Sequence, residues 1–272
     1  MNCRRKTFVG FIGAGNMGTA IMKGIAGSDE LSSTIDISAF DPDPAKLESL
    51  KKYGVKPQKN GNDVVKTCKY IFLAVKPQVI EGVLEGIAKD VAEDTVLISI
   101  AAGISEDFIR SKTIPNAKVI LVMPNTPFLL GKGSTAMANG GYVTDEEFEI
   151  VKNIFESGGI VEVIDKSKMK EVITINSSSP AYIYFFAKGF TEYAKSIGIG
   201  EKEALNLFSQ ALIGSAEMMI KSGYSIDELL NMVQTPGGTT EAGMKPLYEA
   251  DFTGIIEKAC KACTKRAYEL SK

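Results

Sequence analysis

The sequence predicts an α/β domain built on a parallel sheet, followed by an all-helical domain. Short apolar runs such as Thr7–Ile12 alternate with helical patterns as far as residue 165, and this alternation is typical of βαβ units. From about Lys168 onward the strand patterns stop and only helical patterns remain. We therefore expect two domains, with bounds 1–165 and 166–272.

The predicted elements follow from hydrophobic periodicity and from the residues that interrupt it. Buried strands are predicted at Thr7–Ile12, Ile35–Phe40, 70–75, 95–100 and 118–123, and edge strands at 133–138 and 160–164. In the first domain, helices are predicted after residue 18 and at 44–53, 79–88, 105–110 and Asp145–Glu156. In the second domain, helices are predicted at 180–197, 202–220, Ile226–Val233, 240–250 and 253–270.

Composition and charge limit the classes of function. The 272 residues are 44% hydrophobic and 24% charged, which is ordinary for a globular protein. A net charge of −2 and a pI near 5.5 argue against nucleic acid as the main partner. No apolar run is long enough to cross a membrane, and residues 1–6 have no signal-peptide core behind them. We therefore expect a cytoplasmic protein.

The chain contains no histidine, which excludes an imidazole general base, a Ser-His-Asp triad and a histidine-ligated metal. The four cysteines are Cys3, Cys68, Cys260 and Cys263. The last two form a lone C-x-x-C in a helical pattern, without the second pair that a zinc site requires. We expect reduced thiols and no metal site.

A glycine-rich turn follows the first predicted strand. Gly13, Gly15 and Gly18 have the G-x-G-x-x-G spacing, with Asn16 and Met17 inside it and a helical pattern after it. In such a turn the first glycine permits a tight bend, the second lets a pyrophosphate approach, and the third lets helix pack on strand. The helix N-terminus then faces the phosphates. The segment predicts a dinucleotide site, and the alternative is a purely structural turn.

Residues after three other strands are expected beside the same crevice, because parallel strands present their carboxyl ends together. Asp41 can accept hydrogen bonds from a ribose 2′-OH and would repel a 2′-phosphate, which favours NADH; alternatively it starts the turn before Pro42. Lys76 is placed to contact a ribose or a phosphate, unless it is simply solvated. Asn125, in a stiff Pro-Asn-Thr-Pro turn, can hold its amide against a ribose or nicotinamide, unless the turn contacts no ligand.

Two features of the second domain concern partners and anions. The helix at 180–197 is apolar nearly all round, so we expect it to lie at a dimer interface; the alternative is a well-buried core helix. The loop at 233–243 contains a Gly-Gly pair and three threonines ahead of a helix start, which suits a carboxylate. The alternative for this loop is N-capping by Thr239 or Thr240.

These motifs together resemble one family. The segments GFIGAGNMG, LAVKPQ, ISIAAGI, VMPNTP, SSSPAY and TPGGTT occur in the order and spacing of pyrroline-5-carboxylate reductase, over essentially the whole chain. The resemblance implies a Rossmann domain, a helical dimerisation domain and NAD(P)H-dependent reduction of 1-pyrroline-5-carboxylate to L-proline, the last step of proline biosynthesis. It also implies a homodimer or a multimer of dimers, with the substrate site built across the dimer interface.

The resemblance also implies roles for individual residues. The loop at 235–240 would hold the substrate carboxylate, and Thr240 would be the catalytic residue that hydrogen-bonds the ring nitrogen. The substrate-binding residues would be Ser178, Thr235, Gly237, Gly238, Thr239 and Thr240. The cofactor-binding residues would be Gly13, Gly15, Asn16, Met17, Gly18, Asp41, Ala74, Val75, Lys76, Pro77, Ala101, Gly103 and Asn125. Hydride transfer to a protonated imine depends on orientation rather than on a strong protein base, which agrees with the missing histidine.

The chain departs from the family pattern at two places. The family usually has glycines around the middle serine of SGSGPAY, whereas this chain has Asn176, Ser177 and Ser179 around Ser178. This change leaves a six-membered cyclic imine open as an alternative substrate. Many members follow the second strand with Asn-Arg, which suits the usual family cofactor NADPH, whereas Asp41 favours NADH. The asparagine that helps to hold the adenosine end is either Asn60 or Asn62.

Two other functions are weighed against this one. A 3-hydroxyisobutyrate-type dehydrogenase shares the two-domain plan, but Lys170 and Asn176 only loosely match its lysine and asparagine, and PGGTT stays unexplained. A nucleotide-sensing binding protein is disfavoured by the intact threonine loop.

Overall fold

The computed structural model describes residues 6–271, which form two compact units. One unit contains the described residues up to Ser178 together with those from Cys263 onward, and the other is Ser179–Ala262. The first unit is α/β and the second is helical, which confirms the predicted fold class. The boundary at residue 165 stays a prediction. Cys3 and most of the segment examined for a signal peptide lie outside the described residues.

Within residues 6–271, eight strands form one sheet in the order β3-β2-β1-β4-β5-β6-β7-β8. Neighbouring strands are parallel except for β6 and β7, which are antiparallel. The order of connection reverses between β1 and β4, which is where a doubly wound sheet opens a crevice at its carboxyl edge. The strands are β1 (Thr7–Ile12), β2 (Ile35–Phe40), β3 (Lys56–Pro57), β4 (Tyr70–Leu73), β5 (Val96–Ser99), β6 (Lys118–Pro124), β7 (Gly133–Gly141) and β8 (Gly159–Val163).

Helices cover the sheet of the first unit and make up the second. Through Ser178 they are α1 (Asn16–Gly27), α2 (Asp29–Thr34), α3 (Pro44–Leu50), α4 (Gly61–Thr67), α5 (Ile80–Ile87), α6 (Glu106–Lys112), α7 (Asp145–Glu156) and α8 (Val172–Asn176). They continue with α9 (Ser179–Ser196), α10 (Glu201–Lys221), α11 (Ile226–Val233), α12 (Thr239–Glu249) and α13 (Phe252–Leu270). Over residues 6–271, none of these helices combines the length and the apolar character needed to span a membrane.

The central strands are apolar on both sides because helices cover both faces of a parallel sheet. All four residues of β4 and all four of β5 are buried. On one face Phe11 stacks on Phe72 with ring centroids 4.5 Å apart; on the other, Ile71 and Leu97 belong to a second buried cluster. The sheet therefore forms a rigid platform for the loops at its carboxyl edge.

Several elements differ from the prediction for local reasons. Hydrophobic periodicity did not predict α2, β3, α4 or α8. These elements are short, and they form because of side-chain caps or packing. Ser28 and Asn60 cap α2 and α4, respectively. The prediction that 133–138 forms an edge strand was wrong, because β7 pairs with β6 on one side and with β8 on the other. The strand at 160–164 does lie at the edge of the sheet, as β8.

Candidate active site

The glycine turn joins β1 to α1 and closes tightly against β4. Gly13 has a φ of 104°, and a Cβ at this position would lie 2.4 Å from the carbonyl oxygen of Ala74. A Cβ on Gly18 would lie 2.7 Å from the Gly13 carbonyl oxygen and 3.1 Å from the Ala74 Cβ. Both positions therefore exclude any side chain, as close packing of turn, helix and strand requires.

Gly15 has a different environment. A Cβ at this position would meet no atom within 4 Å, so the backbone there borders open space. Gly15 is also the N-cap of α1, without a side-chain cap, and Asn16 and Met17 follow as the first helical residues. A dinucleotide pyrophosphate fits this arrangement, because the phosphate can approach the backbone and the N–H groups of the first helical turn.

Asp41 lies one residue beyond β2 and is joined to the glycine turn. Its Oδ2 accepts a hydrogen bond from the Ala14 N–H at 2.7 Å, and its Oδ1 accepts one from the Asp43 N–H at 2.9 Å. The amino group of Lys46 lies 3.2 Å from Oδ1. Burial opposes ionisation of this carboxyl, but the hydrogen bonds from Ala14, Asp43 and Lys46 outweigh it and lower the pKa of Asp41. A buried, ionised carboxylate is thus fixed beside the turn.

The segment after β4 lies against the same turn. The carbonyl oxygen of Ala74 and the Cγ1 of Val75 are the groups that a Cβ on Gly13 would meet, and the Ala74 N–H donates to the Ile12 carbonyl at 2.9 Å. Lys76 is exposed and Pro77 is half-buried. The structure therefore brings the predicted residues Gly13, Ala74 and Val75 together at the crevice.

Ala101 and Gly103 follow β5 and line a cavity of about 350 Å³ in the first unit. Gly103 has a φ of 78°, and the Ala267 carbonyl near the end of α13 lies 3.5 Å from where its Cβ would be. Tyr268 and the α6 residue Glu106 also line this cavity. Nothing in these contacts connects Ala101 or Gly103 to the glycine turn.

The two asparagines considered for the adenosine end have different environments. Asn60 is exposed at the start of α4, where its side-chain oxygen accepts the Asp63 N–H at 2.8 Å. The amide of Asn62 donates to the Gly86 carbonyl at 2.9 Å and to the Asp90 carboxylate at 2.6 Å. Asn62 therefore joins α4 to the segment around α5, whereas Asn60 is an exposed residue that caps α4.

Asn125 is buried just beyond β6, and its amide is bonded within the protein. Its Oδ1 accepts the Ser134 N–H at 3.0 Å, and its Nδ2 donates to the Ser134 hydroxyl at 2.9 Å and to the Asn176 carbonyl at 3.3 Å. These contacts hold the turn after β6 against β7 and α8. A contact of Asn125 with the cofactor stays a prediction.

The serine segment after α8 lies against the same strand end. The Asn176 amide donates to the Met123 carbonyl, and the Ser177 hydroxyl donates to the Pro124 carbonyl at 3.1 Å. Ser178 places its hydroxyl oxygen 3.4 Å from the Cys263 sulfur. The three residues therefore form a fixed bend at the carboxyl end of β6.

The loop at 235–240 belongs to the second unit and is a tight turn followed by a helix. The Gly238 N–H donates to the Thr235 carbonyl at 2.8 Å, and Gly237 has a φ of 72°. A four-residue turn with a positive φ at its third residue favours proline at the second position and glycine at the third, here Pro236 and Gly237. Gly238 is the N-cap of α12 and has no side-chain cap, so N-capping by Thr239 or Thr240 does not occur.

This loop has the chemistry of an anion site. Thr239 and Thr240 occupy the first turn of α12, an 11-residue helix, with Thr240 exposed. Uncapped first-turn N–H groups, the helix dipole and a hydroxyl together suit a carboxylate. Two donors of the loop are taken within the chain: the Gly238 N–H donates to the Thr235 carbonyl at 2.8 Å, and the Gly237 N–H donates to the Glu241 carboxylate at 2.7 Å.

The second unit exposes most of its apolar side chains. In Ser179–Ala262 only Pro180 and Ala194 are buried, whereas Phe185 is 78% exposed. An apolar groove of about 580 Å³ runs along α9, α10 and α13, and Phe190 stacks on Phe208 beside it with centroids 4.2 Å apart. A unit with so small a core requires an apolar partner.

Some residues at these sites had no signal in the sequence. Ser134, Lys46 and Glu241 contact predicted site residues only through tertiary or helix-turn geometry. Ser134 would have followed from pairing β6 with β7 in antiparallel register, since Pro124 lies opposite Thr135. Among the described residues, no group of three or more cysteine, aspartate or glutamate side chains is arranged to hold a metal ion.

Comparisons with known proteins agree with this geometry. Residues 166–270 match the family model described as pyrroline-5-carboxylate reductase dimerisation. Residues 8–103 match the model described as NADP oxidoreductase, coenzyme F420-dependent. The second match covers the glycine turn and Asp41, and the first covers the loop at 235–240.

Whole-chain similarity extends to curated relatives and solved structures. Pyrroline-5-carboxylate reductase of Escherichia coli (strain K12) is 34% identical over 97% of this chain and 98% of its own. The enzyme of the same name from Pisum sativum is 32% identical over 97% and 96%. The crystal structure of Plasmodium falciparum pyrroline carboxylate reductase with NADP bound superposes with a TM-score of 0.88, at 27% identity over 98% of both chains. Neither the hydroxy-acid dehydrogenase nor the nucleotide-sensing alternative is favoured by these matches.

Proposed function

This chain belongs to the pyrroline-5-carboxylate reductase family, and we propose that it reduces 1-pyrroline-5-carboxylate to L-proline with NAD(P)H. The observation that carries the proposal is the loop at 235–240, where α12 begins without a side-chain cap beside the Thr240 hydroxyl, an arrangement that suits a carboxylate. Such a site fits an imino acid, whose carboxylate and ring nitrogen lie close together. Residues 1–165 are proposed to bind the cofactor, and residues 166–272 are proposed to bind the substrate and to form the dimer.

The proposed chemistry needs binding and orientation from the protein more than proton transfer. When bound, the reduced nicotinamide supplies a hydride to the imine carbon, and the nitrogen is already protonated. The Thr240 hydroxyl oxygen accepts a hydrogen bond from that protonated nitrogen and fixes the ring face. Thr235, Gly237, Gly238 and Thr239 hold the carboxylate, and Ser178 contacts the ring. Orientation of this kind supplies much of the rate enhancement in bimolecular reactions.

The cofactor is proposed to bind with its pyrophosphate over Gly15 and the start of α1. Gly13 and Gly18 fix the turn, and Asn16 and Met17 offer backbone N–H groups. Lys76 and Asn125 are proposed for the nicotinamide side. The further proposed cofactor contacts are Ala74, Val75, Pro77, Ala101 and Gly103. For the adenosine end, Asn60 is favoured over Asn62, because the Asn62 amide is bonded to Gly86 and Asp90.

We further propose that NADH is preferred to NADPH. The hydrogen bond from the Ala14 N–H holds the Asp41 carboxylate beside the glycine turn, and its lowered pKa keeps it ionised, so it would repel a nearby 2′-phosphate. A carboxylate at this place accepts hydrogen bonds from a ribose 2′-OH. Lys46 opposes this preference in part, because its amino group lies 3.2 Å from the same carboxylate.

We propose a homodimer or a multimer of dimers, formed through the apolar faces of α9, α10 and α13. The exposure of these faces supports this assembly. A cytoplasmic setting is proposed with it, in keeping with the free cysteines Cys68, Cys260 and Cys263.

The experiment that tests the function measures initial rates with pyrroline-5-carboxylate, in parallel with NADH and NADPH. Turnover with a higher kcat/KM for NADH supports both the enzyme and the role of Asp41. A higher kcat/KM for NADPH keeps the enzyme and contradicts the role of Asp41. No turnover with either cofactor contradicts the proposed substrate, and the six-membered cyclic imine is then the next substrate to assay.

A further inference from the structure

Asn176 is buried at the centre of a network of hydrogen bonds with Ser134, Asn125 and Met123. Its side-chain oxygen accepts from the Ser134 hydroxyl, and its side-chain amide donates to the Met123 carbonyl. Its own carbonyl accepts from the Asn125 amide at 3.3 Å, and Asn125 in turn holds both the hydroxyl and the N–H of Ser134. One asparagine therefore joins β6, β7 and the end of α8.

The bend after Asn176 is fixed by further contacts. The N–H groups of Ser177 and Ser178 both lie 2.9 Å from the Ile173 carbonyl, and the Ser177 hydroxyl donates to the Pro124 carbonyl. The Ser178 hydroxyl oxygen lies 3.4 Å from the Cys263 sulfur. The position of Ser178 thus depends on how the bend is held on β6.

The sequence explains why the bend needs side-chain anchors. Where the related pattern has serine and glycine, this chain has Asn176 and Ser177. Their side chains reach two successive carbonyl groups, those of Met123 and Pro124, at the end of one strand. A buried amide that satisfies both its donor and its acceptor specifies one arrangement, because any shift leaves polar groups unpaired.

We infer that Asn176 is a positioning residue for the substrate. It holds the bend at 176–178 on the carboxyl end of β6 and so fixes the Ser178 hydroxyl at the place where the ring is to bind. The role inferred for Asn176 is to place Ser178, not to bind the substrate itself. The inference rests on the proposed function, since it assigns to Asn176 the placement of a substrate-binding serine.

Asn176→Asp tests this role, because aspartate keeps the size and the acceptor but cannot donate to the Met123 carbonyl. We expect KM for pyrroline-5-carboxylate to rise about tenfold or more, while kcat falls less than about threefold. The Kd of NADH is expected to stay within about twofold of the wild-type value. Asn176→Ser, whose hydroxyl reaches fewer partners, is expected to give a smaller rise in KM.

Asn139→Asp is the matched control. Asn139 also uses its side chain within the protein, accepting the Gly141 N–H at 2.8 Å, but it pairs with Ile120 toward the opposite end of β6. Its KM is expected to equal that of the wild type. Wild-type KM in both Asn176 variants, or a loss of NADH affinity parallel to the rise in KM, would overturn the inference. An inactive wild-type enzyme would instead overturn the proposed function, and the inference with it.

Discussion

Gly15 and Gly18 lie three residues apart in one turn, yet a methyl group would meet different surroundings at each. At Gly18 it would lie 2.7 Å from a backbone oxygen, whereas at Gly15 it would enter open space. The protein itself therefore needs glycine at position 18. At position 15 the fold sets no such requirement, and we expect glycine there to serve the proposed pyrophosphate.

Gly15→Ala is accordingly expected to weaken NADH binding by tenfold or more without lowering the thermal midpoint by more than about 2 °C. Gly18→Ala is expected to weaken NADH binding and also to lower the thermal midpoint, because the turn and Ala74 must move apart. Gly82→Ala, in α5 and likewise free of neighbours within 4 Å, serves as the control and is expected to bind NADH normally. Tight NADH binding by Gly15→Ala would contradict the placement of the pyrophosphate.

Thr240 is the residue on which turnover of the imine is expected to depend most. Thr240→Ala removes the hydroxyl at the start of α12, and kcat/KM for the imine is expected to fall about 10- to 100-fold, or about 1.4–2.7 kcal/mol. NADH affinity, measured by nicotinamide fluorescence, is expected to change less than twofold. Thr34→Ala, at the end of α2, is the control. An equal loss in turnover and in NADH affinity would mean that the loop has a structural role instead.

Some features of single site residues could be predicted from the sequence, and others could not. The glycine spacing is local, so the turn around Gly13 could be predicted. The acceptors and donors that surround Asn125 could not, because Ser134 and Asn176 reach it only once β6, β7 and α8 have assembled. The same reason applies to Lys46, whose contact with Asp41 depends on how the chain enters α3.

At the scale of elements, two lysines around the buried Glu147 carboxylate join α7 to the sheet. Glu147, in the first turn of α7, lies 2.7 Å from the Lys118 amino group and 2.8 Å from that of Lys69. It also accepts the Thr144 N–H at 3.1 Å, within a capping box. Burial disfavours the charged form, but the hydrogen bonds from Lys118, Lys69 and Thr144 outweigh it and lower the pKa of Glu147 to about 2.

This pKa predicts how stability depends on pH. Because the pKa is lower in the folded state, ionised Glu147 stabilises the fold fully above about pH 4.5, and this contribution is lost as the pH falls toward 2. Glu147→Gln is expected to lower the free energy of unfolding by about 1–3 kcal/mol at pH 7. The difference from wild type should shrink at pH 3 in urea titrations followed by circular dichroism.

Glu149→Gln provides the comparison for that measurement. Glu149 is on the same helix, but its carboxylate is 58% exposed and lies 3.5 Å from Lys152. Exposed pairs contribute less than about 1 kcal/mol, so this variant is expected to match the wild type at both pH values. A Glu147→Gln variant with an unchanged pH dependence would show that the cluster does not stabilise the fold.

Elements were predictable where their pattern is local and long. Asp145–Glu156 and Ile226–Val233 were predicted with the bounds that the structure has, because each begins with a capping box and continues with apolar residues at helical spacing. The two-residue strand β3 and the five-residue helix α8 carry too few residues to show a period. Their conformation is decided by the strands and helices they contact.

At the scale of the whole molecule, the second unit has apolar faces without a core beneath them. Its aromatic residues on α9 and α10 contact one another, as Phe186 and Phe208 do with ring centroids 5.9 Å apart, but many large apolar side chains of these helices stay exposed. From the sequence, the helix at 180–197 was expected at an interface because it is apolar nearly all round. The sequence could not distinguish a subunit interface from a buried core helix, because both are apolar all round.

Phe185→Glu tests the assembly directly. Phe185 is 78% exposed on α9, and a carboxylate there would be buried without a partner if a second copy covers the face, at a cost of several kcal/mol. Light scattering after size exclusion is therefore expected to show a shift to monomer, with loss of imine turnover. NADH binding is expected to persist, because the glycine turn belongs to the other compact unit. Val163→Glu, which places the same charge at an exposed position on β8, should leave the oligomer intact; an intact oligomer in Phe185→Glu would instead place the interface elsewhere.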